Sequence, residues 1–151
     1  MSDARPEPYV IEGQLPDRYP RGWFCIGAGY EFSSVPVKLD YFGTSLVAYR
    51  GAESGAVHVL DAYCPHMGAN LAGGVVLGDS VICPFHEWSW GADGLCNHIP
   101  YAKKIPPRAR IRSWPVMEEN ELVYLWHDPD GAPPIESQRI PREPEISNEN
   151  W

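Results

Sequence analysis

Two short segments, CPHMGANL at Cys64–Leu71 and CPFHEW at Cys83–Trp88, constrain this chain more than any other feature. Each sets a cysteine, followed at once by proline, close to a histidine. One residue separates Cys64 from His66, two separate Cys83 from His86, and sixteen lie between His66 and Cys83. Two such loops, brought together by neighbouring strands, offer two thiolates and two imidazoles. The fold must therefore lead strands into Cys64 and Cys83 and deposit both loops at one place.

The surrounding sequence supplies such strands. Trp23–Ile26 reads as a short strand. Val35–Gly43 and Thr44–Gly51 form a hairpin with Gly43 in its turn, and Gly55–Cys64 is a strand that ends on the first loop. Gly73 and Gly74 break the chain before Val81–Ile82, which delivers it to the second loop. Gly91–Gly94 is a turn with glycine where positive φ is needed. Tyr101–Arg110, rich in proline and bases, is an extended loop, and IRSWPVMEENELVYLWHD is a closing hairpin turning at Glu118–Glu121. No helical period is sustained; the best helical candidate is a short turn near Gly68–Leu71. The expected class is all-β and antiparallel.

At 151 residues the chain suits one domain with one core. Residues 1–18 are expected as a flexible arm, 19–128 as the folded domain, and 129–151, rich in proline and charge, as a tail or linker. Twenty acids against twelve bases give a net charge of −8, which argues against nucleic acid as a partner. No apolar run is long enough to span a bilayer, and the first residues lack the apolar stretch of a signal peptide, so a cytoplasmic chain without a membrane partner is expected. In that compartment four cysteines point to metal or free thiols before disulfides.

Two metal groups suit the paired loops. One is a single tetrahedral zinc ion with all four ligands, in a structural zinc module. The other is one [2Fe–2S] cluster with both cysteines on one iron and both histidines on the other. Mixed zinc sites usually pair like with like along the chain, whereas here the types interleave. Interleaving lets each loop reach both irons, and the spacing favours the cluster. Proline after each cysteine fits tight turns that aim backbone N–H groups at sulfur.

CPHMG with CPFHEW resembles the Rieske iron–sulfur signature. Beyond the loops, YPRGWFCIG, YFGTSLVAYRG, LDAYCPHMGANL, VICPFHEWSWGADGLCNHIPYAKKIP, RARIRSWPV and LVYLWHD resemble the amino-terminal domain of Rieske non-haem iron oxygenases, most nearly that of 3-ketosteroid 9α-hydroxylase oxygenase components. The resemblance covers about residues 18 to 145. It implies a Rieske-type sandwich or incomplete barrel with a small two-loop cluster-binding subdomain. It also implies Cys64 and Cys83 on an inner iron and His66 and His86 on an outer iron. An electron would arrive from a reductase or ferredoxin and leave for an oxygenase catalytic domain or subunit. Neither loop has a second cysteine, Met67 and Phe85 standing there instead, which implies a potential at the low end of a range of about −150 to +300 mV. Trp88 is expected either to shield the cluster or to serve as an ordinary core aromatic.

The oxygenases of this family carry a second domain with a ferrous ion on two histidines and a carboxylate. The segment after Pro129 has no histidine, so the expectation is an electron-transfer component that does not hydroxylate alone. The alternative is a fragment of a complete monooxygenase acting on a steroid. Cys25 is expected as a small core residue and His58 as structural or exposed; Cys96, His98 and His127 have no metal pattern. Lys103, Lys104 and Arg108–Arg112 form the basic patch, either a solvated face or a docking site for an acidic reductase or a neighbouring subunit.

Overall fold

A computed structural model describes residues 18–144. The proposed arm, but for Arg18, and the last residues of the tail lie outside this range. The chain builds eleven strands: β1 (Gly22–Ala28), β2 (Val37–Tyr41), β3 (Thr44–Arg50), β4 (Val57–Asp61), β5 (Val75–Leu77), β6 (Ser80–Ile82), β7 (Ser89–Trp90), β8 (Cys96–His98), β9 (Ser113–Trp114), β10 (Val116–Glu119) and β11 (Leu122–His127). They form three open antiparallel sheets in the orders β1-β11-β10, β2-β3-β4-β9 and β5-β6-β7-β8. Among the described residues there is no α-helix; near the expected helical turn a 3-10 turn spans Leu71–Gly73.

The middle sheet explains the layering. Leu46, Val47, Ala48 and Tyr49 run consecutively along β3 and all are fully buried. Successive strand side chains face opposite sides, so such a run requires cover on both faces. Leu46 and Ala48 join an outer core with Ile26, Phe32, Val57, Val59, Trp114, Val123 and Leu125, against β1 and β11. Val47 and Tyr49 join an inner core with Leu60, Cys64, Leu71, Val81, Cys83, Trp90 and Ile99. One core was expected; the alternation of β3 divides it in two. Each fully buried Val or Leu contributes about 1.5–3 kcal/mol.

The turns bear out the expected hairpins. Between β2 and β3, Phe42 and Gly43 both have positive φ, 54° and 70°, as a two-residue hairpin turn requires. Between β10 and β11 the same geometry falls on Asn120 and Glu121, at 54° and 62°. Cys25 departs from expectation and is exposed. Ile26 turns into the outer core, so the preceding side chain takes the opposite face, and a register shift between Cys25 and Gly27 ends the simple alternation.

The chain after β11 packs back on the sheet. Asp128, whose side chain is almost wholly buried, accepts from Arg21 and from the N–H groups of Asp130 and Ala132. Trp126 Nε1 donates to Ala132 O at 2.9 Å, and Asn120 grips Pro141 O and Glu143 N.

Gly94 and Gly43 separate two costs of replacing glycine. Both have φ above 70° or at it, 79° and 70°, but a Cβ on Gly94 would lie 2.2 Å from Ile111 O, whereas one on Gly43 meets nothing within 4 Å. Gly43→Ala is expected to cost only left-handed strain, about 1–2 kcal/mol, and Gly94→Ala about 1–3 kcal/mol more from overpacking. Denaturant unfolding of the two variants measures the difference.

Candidate metal centre

The two Cys/His loops share one backbone frame. In the first, Cys64 N donates to Ala69 O at 2.9 Å and Cys64 O accepts from Gly68 N at 2.8 Å. In the second, Cys83 N donates to Trp88 O at 2.8 Å and Cys83 O accepts from Glu87 N at 3.1 Å. Gly68 and Glu87 close their loops with positive φ, 76° and 58°. Matched by this frame, Cys64 corresponds to Cys83 and Pro65 to Pro84. His66 then falls opposite Phe85, and Met67 opposite His86. Each loop tip therefore carries one imidazole and one apolar side chain in reversed order, which is why the spacings differ by one residue.

Depth separates the donors. Cys64 and Cys83 are 1% and 2% exposed and belong to the inner core. His66 and His86 are half-buried at its rim, ring centroids 4.7 Å apart and planes at 75°. Met67 and Phe85 flank them, 64% and 60% exposed. All five residues singled out by the sequence meet here, for Trp88 stacks on His66 with centroids 4.5 Å apart and planes 13° from parallel.

The chemistry around the donors fits a metal–sulfur group. Burial pushes the Cys64 thiol up, and the adjacent Cys83 sulfur adds to this; the His66 backbone N–H and the Trp90 indole favour the thiolate. His86 Nδ1 and Trp90 Nε1 are buried without a hydrogen-bond partner. Orphaned buried polar atoms are rare in folded proteins, and two at one site call for a binding group. An imidazole lone pair suits a metal ion, and an indole N–H suits a sulfur acceptor. Among the described residues no three of His, Cys, Asp and Glu gather as a single cation requires. Instead a sulfur pair lies inside and a nitrogen pair outside, the arrangement a binuclear group with two unlike ends would use.

Other polar residues stand apart. His127 is buried among aromatics, its ring centroid 4.2 Å from that of Phe42, with Nδ1 against Pro20 O. His58 is partly buried and contacts Ser54 Oγ at 3.2 Å. The Cys96 thiol points to His98 O at 3.6 Å, and all four cysteines are free. The basic patch stands beside the centre. Lys103, Lys104, Arg108 and Arg110 are exposed, and a groove of 310 Å3 is lined by Pro65, His66, Trp88, Pro106, Arg108 and Ala109. Arg112 instead covers the Trp114 ring at 3.6 Å. Two residues of the centre escaped sequence reading. Trp90 could have been found from its two-residue spacing from Trp88, which puts both indoles on one side of extended chain and stacks them; Tyr101, which accepts from Trp88 Nε1 at 2.6 Å, gave no local signal.

Comparison with known proteins agrees with this geometry. The Rieske [2Fe–2S] domain family matches residues 22–115. A probable 3-ketosteroid-9-alpha-monooxygenase, oxygenase component, from Rhodococcus rhodochrous is 48% identical over 92% of this chain, and cholesterol 7-desaturase nvd from Xenopus laevis is 43% identical over 93%. The chain spans only 35% and 31% of the lengths of these two relatives. The crystal structure of apo dicamba monooxygenase is 31% identical, with a TM-score of 0.69 over 76% of this chain and 36% of that one. No helix among the described residues is long and apolar enough to cross a membrane. With its paired loops, its divided donor set and the match across both, the chain belongs to the Rieske [2Fe–2S] domain family.

Proposed function

We propose that Cys64 and Cys83 hold one iron of a single [2Fe–2S] cluster, that His66 and His86 hold the other, and that the chain passes single electrons within an oxygenase system. The observation that carries this reading is the shared loop frame, which sets the cysteines in the core and the histidines at the rim. Bound there, the cluster supplies reversible one-electron chemistry. Two ferric ions, two sulfides and two thiolates sum to about zero charge, and neutral imidazoles add none, so reduction is easier than in a four-cysteine cluster.

The chain's own residues do the rest. The inner core keeps water from the sulfurs, and the His66 N–H and Trp90 indole favour the charged form of Cys64. Trp88 covers one face of His66 and shields it from solvent. Met67 and Phe85 give the rim an apolar collar through which a partner can approach the imidazoles closely. Residues 19–128 form the electron-transfer domain, and the segment from 129 onward leads towards a catalytic domain. The electron donor is an acidic reductase or ferredoxin that docks on Lys103, Lys104, Arg108 and Arg110, beside the groove that reaches His66. The acceptor is an oxygenase catalytic domain or subunit. We assign the system to hydroxylation of a steroid-like or aromatic-ring substrate, on the relatives' names, with the chain working in the cytoplasm, where four free cysteines are at home.

Purified protein is expected to contain two irons per chain and no zinc, and to give a rhombic electron paramagnetic resonance signal of low average g after reduction. A colourless protein with one zinc would refute the cluster, and three irons would indicate a complete oxygenase. Reversing Lys103, Lys104 and Arg108 to Glu is expected to slow reduction by an acidic donor about tenfold at low salt, the difference shrinking as salt is added. Stopped-flow reduction across a salt series checks this, and a rate unaffected by the reversal would remove the patch from the docking surface.

A further inference from the structure

Trp88 is held on three sides. One indole face lies on His66, almost parallel. Trp90 stacks at 5.9 Å with planes 30° apart. The Trp88 N–H donates to the hydroxyl of Tyr101 at 2.6 Å. Tyr101 lies thirteen residues on, in the proline-rich loop after β8, and is 62% exposed. Stacking alone leaves an indole free to slide and rotate over its neighbour; a directed hydrogen bond from its one polar atom fixes the rotation.

We propose that Tyr101 is a positioning residue for the metal centre: its hydroxyl locks Trp88 flat on the His66 imidazole. This rests on the reading of His66 as a ligand. The lock acts on the potential in one direction. An indole face is the electron-rich side of the ring, and it favours the more positive, oxidised state of whatever the imidazole binds. An acceptor on the indole N–H makes that face richer still. The covering ring also keeps water from the imidazole, and water would stabilise the negative charge gained on reduction. All three effects hold the potential down, so releasing Trp88 raises it.

The test uses the whole chain with its cluster and four proteins: wild type, Tyr101→Phe, Trp88→Phe and the double variant. Tyr101→Phe removes one exposed oxygen and keeps the ring. Iron content is expected to be the same in all four. The midpoint potential should rise in Tyr101→Phe and in Trp88→Phe, and the double variant should match Trp88→Phe, because the hydroxyl has no donor to hold once the indole is gone. Pulsed electron paramagnetic resonance of the reduced protein supplies a second readout: Tyr101→Phe should change the coupling of one imidazole nitrogen and leave the other. An unchanged potential with unchanged couplings would overturn the lock. So would an equal shift from Tyr101→Phe with Trp88 present or absent, since Tyr101 would then act without Trp88. Wild-type protein without an iron–sulfur cluster would instead overturn the ligand reading beneath the proposal, and metal analysis separates that outcome from the others.

Discussion

The inner core anchors the two sulfurs of the candidate metal centre. Val47 and Tyr49 from β3, Leu60 from β4, Val81 from β6 and Trp90 from β7 meet around Cys64 and Cys83. The two cysteines are packed as parts of a hydrophobic core, where side chains sit in single rotamers with few voids. This geometry needs a middle sheet buried on both faces. One face closes the outer core against β1 and β11, and the other receives the two loops. Loosening the inner core would shift both sulfurs at once, because both cysteines pack in it as well as being tied by the backbone bonds of their own loops.

From that anchoring follows a gradient. Sulfur donors lie deep, nitrogen donors half-buried, and Met67 and Phe85 outermost. Charge sits most safely where water or a partner can reach it. On the proposed reading, a cluster held here would gain its electron at the histidine end, close to the surface and to the groove beside the basic patch. The chain is strongly acidic overall, so the exposed cluster of Lys103, Lys104, Arg108 and Arg110 stands out as a local basic face beside that groove.

Much of this was legible in the sequence, and for identifiable reasons. The β2–β3 hairpin announced itself through Gly43, and the closing hairpin through the polar Glu118–Glu121 break between apolar runs. That Cys64, His66, Cys83 and His86 would meet was legible because the same two residue types recur in two matched loops, each led in by a strand. What sequence did not reveal depends on distant contacts. The alternation of β3 carries no mark of which face meets which sheet, so two cores read as one. Cys25 looked like core because its neighbours are apolar, yet a half-buried strand sends every second residue outward. Short strands such as β5 and β8 exist only through pairing with β6 and β7. Tyr101 reaches Trp88 only because the loop after β8 folds back over the second cysteine loop.

The central claim is that two irons lie in unlike environments, sulfur-held within and nitrogen-held without. Mössbauer spectroscopy of iron-enriched protein addresses this most directly. The account predicts two doublets of equal area with different isomer shifts in the oxidised state, and on reduction a ferrous signature at one site alone, the one with nitrogen ligands. A single doublet in the oxidised protein, or reduction spread equally over both irons, would contradict it.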